Sequence, residues 1–147
     1  MSAVTVNFQR FEADVVLPDY ATAGAAGMDI AAYIDKPVTL EPFERAAIPT
    51  GFAMKLPHGY EAQIRPRSGL ALKHGVTLAN APGTIDSDFR GEIAVILINL
   101  SQHSFTIRSG MRIAQLVVAP VVHCFRQEQT QLDISDRGDG GFGSTGL

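Results

Sequence analysis

Three kinds of residue stretch in this chain could handle anions and water. Pro66-Arg67-Ser68-Gly69 puts an arginine and a serine at the start of an expected short helix, a setting that favours anions. Arg137-Gly-Asp-Gly-Gly-Phe-Gly-Ser-Thr-Gly146 sets hydroxyls and backbone N–H groups where they could wrap phosphates, as glycine nests do. It is not a Walker A loop, because the lysine and the strand–loop–helix context are missing. Carboxylates form the third kind. Asp29 lies in Ala25-Ala-Gly-Met-Asp-Ile-Ala31, and Asp86 and Asp88 lie in Gly83-Thr-Ile-Asp-Ser-Asp-Phe-Arg-Gly-Glu92. A carboxylate following Ile85 in a strand-like segment is expected to be partly buried, a position suited to a general base for water or to Mg²⁺-bound water. The alternatives are plain: a capped turn, a frayed terminus, and ordinary Asp-Ser-Asp hairpin chemistry.

Other chemistries lack their residues. His58, His74, His103 and His123 never fall at a metal-ligand spacing, and the neighbours His123 and Cys124 would point to opposite faces of a strand. No Gly-x-Ser-x-Gly elbow is present. The net charge of −3 gives no basic excess for a nucleic-acid polymer. Within the 12 basic residues only Lys36, Lys55 and Lys73 are lysine, and the remaining arginines offer planar forks that suit phosphate or surface carboxylates. A single cysteine excludes an intrachain disulfide and fits a reducing compartment. The longest aliphatic run, Ile93 to Ile98, is far short of a membrane span, and the N-terminal residues show no secretory pattern, so a cytoplasmic protein is expected.

The elements that must position these residues read as β. With 147 residues and 46% apolar content, one domain with a real core is expected. Prolines fall at 18, 37, 42, 49, 57, 66, 82 and 120, and between Pro37 and Pro82 no interval suits a long helix. Strand-like stretches lie between them: Val4–Phe8, Val38–Leu40, Ala46–Leu56 around Pro49, Tyr60–Arg65, Ile93–Leu100, Phe105–Ile107 and Ile113–Val122. Ile93–Leu100 reads as a near-continuously buried strand. The one expected helix is Ser68–His74, with Ser68 as N-cap and Gly75 as stop. The fold class is therefore all-β, a sandwich or barrel with one short helix. Residues 1–136 form the β domain. The segment 137–147, rich in glycine, has too little apolar surface to order itself and is expected to be a mobile tail.

Five stretches then match a known family in order and spacing: Ala26-Gly-Met-Asp-Ile30, Pro66-Arg-Ser-Gly-Leu-Ala71, Gly83-Thr-Ile-Asp-Ser-Asp-Phe-Arg-Gly91, Gly110-Met-Arg-Ile-Ala-Gln115 and Arg137 to Gly146. The sequence resembles the homotrimeric dUTPases. The resemblance implies a jelly-roll-like β fold, a homotrimer whose active sites are shared between subunits, and hydrolysis of dUTP to dUMP and pyrophosphate with Mg²⁺ on the triphosphate. Such an activity limits uracil in DNA and supplies dUMP for thymidylate synthesis. In the family, motifs one, two and four come from one chain, motif three from a second, and the tail from a third.

Roles follow by position, as the resemblance implies them. Asp86 is the general base for water attacking the α-phosphorus. Asp29 holds Mg²⁺-bound water, with Mg²⁺ carried mainly by the substrate phosphates. Arg67, Ser68, Gly69 and Gln115 are α- and β-phosphate ligands. Asn80, Gly83, Thr84 and Ile85 form the uracil pocket, closed by the return strand near Ala94. Arg137, Ser144 and Thr145 take the γ-phosphate with Gly143 beside them, and Phe142 stacks over uracil. Arg112 braces the fold. Phe89, where the family commonly has tyrosine, lies under the deoxyribose. Two rivals follow from the same residues: the related dCTP deaminases, which share the trimeric β fold, and a non-catalytic nucleotide-binding protein. The phenylalanine-bearing tail and the Gly-x-Ile-Asp hairpin favour the dUTPase pattern over the first, and Asp29, Asp86, Gln115 and the full tail argue against the second.

Overall fold

The computed structural model describes residues 3–146. Met1, Ser2 and Leu147, the last residue of the expected tail, lie outside the described residues. Twelve strands and one helix are found among the described residues. In chain order they are β1 (Asn7–Arg10), β2 (Asp19–Tyr20), β3 (Met28–Ala31), β4 (Val38–Leu40), β5 (Arg45–Pro49), β6 (Phe52–Lys55), β7 (Tyr60–Arg65), α1 (Ser68–His74), β8 (Val76–Leu78), β9 (Gly83–Ile85), β10 (Ala94–Asn99), β11 (Phe105–Ile107) and β12 (Arg112–Pro120). All strand pairs are antiparallel. The largest sheet runs β2-β3-β12-β7-β9, and a second runs β5-β10-β8. Two-stranded ribbons, β1-β6 and β11-β4, complete the architecture.

The core lies between these sheets. Ile30, Ile48, Phe52, Ile93, Leu97, Ile107, Ile113 and Leu116 are fully buried within it. Such burial is worth about 1.5–3 kcal/mol per large aliphatic side chain. Phe8 meets Phe52 edge-on at 5.7 Å, tying the β1-β6 ribbon to the core. Asn99 is the largest buried polar side chain. Its Nδ2 donates to the carbonyls of Leu40 and His103, and its Oδ1 accepts from the Ser101 N–H and hydroxyl. With all these partners in place, its burial leaves nothing unpaired.

Several expectations shift at their edges. The first strand is Asn7–Arg10 rather than Val4–Phe8, because its partner β6 ends at Lys55, opposite Asn7, just before Leu56-Pro57. Ala46–Leu56 is two strands, not one. Gly51, with φ +74, turns the chain so that β5 pairs with β10 while β6 pairs with β1. The run in β10 alternates rather than being buried throughout: Val95, Leu97 and Asn99 face the core, while Ile96 and Ile98 are half-buried on the other face.

The helix spans the expected residues, but Ser68 is not its cap. Arg67 occupies the N-cap position with extended backbone (φ −95, ψ 128) and no side-chain capping bond, so Ser68 is the first helical residue. The Arg67 side chain is engaged elsewhere, as described below. Gly75 ends the helix as expected. It adopts the left-handed conformation (φ 65), and its N–H bonds back to the carbonyls of Ala71 and Leu70.

Candidate active site

One polar cluster gathers residues from three of the motifs. β12 lies between β3 and β7, and its register places Gln115 opposite both Asp29 and Arg65. That register contains a bulge between Arg112 and Ala114, where β12 spends one more residue than β3. A bulge resets which face each later side chain takes. Here it lets Ile113 and Ala114 both be buried while Gln115 faces Asp29.

Asp29 is the centre of the cluster. Arg67 Nε stands 3.3 Å from its Oδ1, and Arg112 Nη1 donates to its Oδ2 at 3.1 Å. Gln115 Nε2 completes the set at 3.4 Å from Oδ1. Arg67 also donates through Nη1 to the Arg112 carbonyl at 3.1 Å, so its guanidinium is tied to the β12 backbone as well as to Asp29. The Asp29 side chain is only 17% exposed. Arg112, expected to brace the fold, is paired with Asp29, and the cluster carries two cations around one anion. Ser68 and Gly69, which follow Arg67 at the start of the helix, are exposed. This arrangement suits phosphate oxygens.

A carboxylate has about four lone-pair positions, and three donors leave room for one more. Asp29 therefore fits as an acceptor for a metal-bound water. Among the described residues no group of three or more His, Cys, Asp and Glu side chains could hold a metal alone. Mg²⁺ retains several waters and commonly binds substrate phosphates rather than an all-protein cage, so this donor set is compatible with it.

A second group surrounds the β8–β10 region. The Asn80 amide lies against Gly83, where an added Cβ would come within 3.3 Å of its Nδ2. Gly83 is buried against Ile64, and Thr84 and Ile85 continue β9 on the outer edge of the large sheet. The Ala79 N–H donates to the Ile96 carbonyl, extending the β8–β10 pairing and setting Asn80 beside the start of β10, where Ala94 lies.

Asp86 departs from expectation: it is exposed, not partly buried. The reason is topological. β9 is an edge strand, and the chain turns away immediately after Ile85, so nothing from its own subunit covers the carboxylate. The turn itself is firmly built. The Phe89 N–H donates to the Asp86 carbonyl at 3.2 Å, and Arg90 Nη1 donates to the carbonyls of Ser87 and Phe89.

The C-terminal segment stays apart from both groups. The Val121 N–H bonds to the Gly59 carbonyl and the His123 ring meets that of His58. Beyond these, the hydrogen bonds found among the described residues 124–146 are internal to 135–146. Arg137 Nε donates to the Gly140 carbonyl, and Ser144 and Thr145 are exposed in successive turns. Phe142 is fully exposed with φ 48, an unusual conformation for an aromatic residue. Within one chain, Arg137, Phe142, Gly143, Ser144 and Thr145 are not brought to the Asp29 cluster.

Two features escaped the sequence reading. The Asp29–Arg112 pair joins residues far apart in the chain, and no local spacing signals it. Thr50 and Glu92 form a clamp: Thr50 Oγ1 donates to the Ile93 carbonyl at 2.6 Å, and the Gly51 N–H donates to Glu92 Oε1 at 2.9 Å. The clamp fixes the end of the segment that carries Asp86 and Phe89.

The strand order is that of a jelly-roll-like β protein, and a carboxylate paired with two arginines sits on its largest sheet. A family model described as dUTPase matches residues 13–146. A deoxyuridine 5'-triphosphate nucleotidohydrolase of Roseobacter denitrificans is 60% identical over 136 residues, covering 92% of this chain and 90% of that one. One of Caulobacter vibrioides is 53% identical over 150 residues, covering 99% and 97%. Among solved structures, a Staphylococcus bacteriophage 80alpha dUTPase with dUPNHPP superposes with a TM-score of 0.88 at 26% identity, covering 99% of this chain and all of that one. The chain belongs to the dUTPase family.

Proposed function

We propose that the chain hydrolyses dUTP to dUMP and pyrophosphate at sites shared between subunits of a homotrimer. The observation that carries this reading is the Asp29–Arg67–Arg112–Gln115 cluster, formed within one chain while Asp86 and the tail lie elsewhere. A site needing all of them calls for more than one chain. The names of the relatives supply the substrate.

In this reading Asp86 accepts a proton from water as the water oxygen attacks the α-phosphorus in line. The new P–O bond forms as the bond to the bridging oxygen breaks, and pyrophosphate leaves. Phosphoryl transfer asks a protein mainly for positioning and charge stabilisation. Arg67, Gln115 and the backbone at Ser68 and Gly69 hold the α- and β-phosphates. Mg²⁺ carried on the triphosphate would neutralise charge, with Asp29 accepting from one of its waters. Residues 1–136 act as the β domain. The tail of another chain, 137–147, closes over the site: Arg137, Gly143, Ser144 and Thr145 meet the γ-phosphate, and Phe142 covers the base.

Base choice follows from the backbone groups near Asn80, Gly83, Thr84, Ile85 and Ala94. Uracil offers an N3–H donor between two acceptors, and cytosine reverses part of that pattern. Cytosine would leave buried polar groups unpaired, which discriminates strongly. Thymine's methyl group is excluded by tight packing. Phe89 lies under the deoxyribose.

The test is pyrophosphate release from dUTP, dCTP, dTTP and UTP with Mg²⁺, with ammonia followed in parallel. Release from dUTP alone supports the reading. Ammonia from dCTP would make the chain a deaminase, and binding without turnover would make it a nucleotide-binding protein.

A further inference from the structure

We propose that Gly91 is a positioning residue for the deoxyribose pocket, acting as the seat of the Phe89 ring. The inference rests on the dUTP reading and deepens it. A Cβ built at Gly91 would stand 2.7 Å from Phe89 Cζ, 3.2 Å from Cε2 and 3.4 Å from Cε1. The tip of the ring therefore rests on the bare backbone of Gly91, and only glycine leaves that space. Contacting carbons need about 3.5–4.0 Å, so a methyl group there displaces something by roughly 1 Å.

The surroundings decide what moves. On one side, the backbone of Phe89 is held at its N–H by the Asp86 carbonyl and at its carbonyl by Arg90 Nη1. On the other side, Glu92 Oε1 accepts from the Gly51 N–H, and Ile93 is held by the Phe52 carbonyl at its N–H and by Thr50 Oγ1 at its carbonyl. Gly91 thus sits on a backbone anchored before and after it. Its φ is not in the left-handed region, so alanine carries no penalty of handedness there. The ring is the part left free to yield. Phe89 is 43% exposed, so its ring has an open side into which it can move away from Gly91. An added methyl lifts the ring tip toward that open side, into the volume assigned to the deoxyribose.

The test is a double-mutant cycle of Gly91→Ala and Phe89→Ala, with kcat and KM measured for dUTP and UTP on four purified proteins. In the parental background Gly91→Ala should raise KM for dUTP about tenfold with kcat within about threefold, because the ring clashes with bound sugar in the ground state. The UTP-to-dUTP preference should not rise, since the ring still blocks C2′. In the Phe89→Ala background the same substitution should change KM by less than about twofold, because no ring remains to be lifted. An unchanged KM for Gly91→Ala, or the same rise in both backgrounds, overturns the proposal. If Gly91→Ala fails to fold, folding of the double variant still identifies the ring as the contact, and failure of both overturns it. A parent that releases no pyrophosphate from dUTP refutes the underlying reading instead.

Discussion

Asp29 and Asp86 belong to one sheet but sit far apart in it. Asp29 lies in β3 and Asp86 directly follows β9, with β12 and β7 between them. Three strand spacings amount to roughly 14 Å. The register adds to this. Asp29 is level with Gln115 and Arg65, while Ile85 is level with Ala62, so Asp86 is displaced a further four residues, about 13 Å, along the strands. A water held by Asp86 cannot reach a phosphate held by Arg67 of the same chain. In the proposed reaction the juxtaposition comes from another copy, and that arrangement shapes each expectation below.

Asp86→Asn should leave assembly and dUTP binding intact, because the amide keeps the shape of an exposed side chain. Turnover should fall by about 10²–10⁴, the usual worth of a positioned general base. Steady-state kinetics beside nucleotide binding checks this, and near-parental turnover would remove Asp86 from the role.

Removal of residues 137–147 should hardly change the melting temperature. The described part of this segment makes no hydrogen bond to the β core, and Phe142 is open to solvent. Activity should collapse, because a closing segment excludes water and completes the site. Thermal melts and turnover on the same sample separate the two effects, and retained activity would contradict the role of the tail.

Phe89→Ala should raise UTP hydrolysis relative to dUTP, while Phe89→Tyr should change little. A ring packed on C2′ gives a 2′-hydroxyl neither space nor a partner, and burying it unpaired costs about 1–3 kcal/mol. Neither effect uses a phenol oxygen. The kcat/KM ratio for the two substrates reads this directly. An unaltered ratio in the alanine variant would remove Phe89 from the sugar.

Thr50→Val should destabilise by about 1–3 kcal/mol, since the buried Ile93 carbonyl loses its donor. Thr50→Ser keeps the hydroxyl and should lose less than valine does. Denaturant unfolding of the three proteins is the measure. A valine variant no less stable than the serine variant would contradict a leading contribution from the hydrogen bond.

Local signals made the fold class legible. Prolines ruled out long helices, Gly75 marked the helix end, and Val38–Leu40, Tyr60–Arg65 and Phe105–Ile107 are strands as read. Pairing was not legible, because it joins residues distant in sequence. Nothing near Gln115 says that it faces Asp29, or that a bulge at Ile113 sets that register. Ser68 has the chemistry of a cap, yet Arg67 occupies the position while its guanidinium is held by Asp29 and the Arg112 carbonyl. Asp86 was expected to be partly buried because it follows an apolar strand residue. Burial depends on what covers an edge, and no neighbour in the sequence reports that. Asp29 and Arg67 were readable as residue types in their settings and Gln115 from motif resemblance, and the brace from Arg112 takes its geometry from the fold.

The shared site can be tested by mixing chains. Asp86→Asn chains and chains lacking 137–147 are each expected to be inactive. Co-refolded in equal amounts, with mixed trimers verified by native mass spectrometry, they should recover about a quarter of parental dUTP turnover. Each site then draws an intact Asp86 and an intact tail from different chains, each with even odds. Verified mixed trimers with no activity would mean that one chain supplies both parts, and would contradict the account.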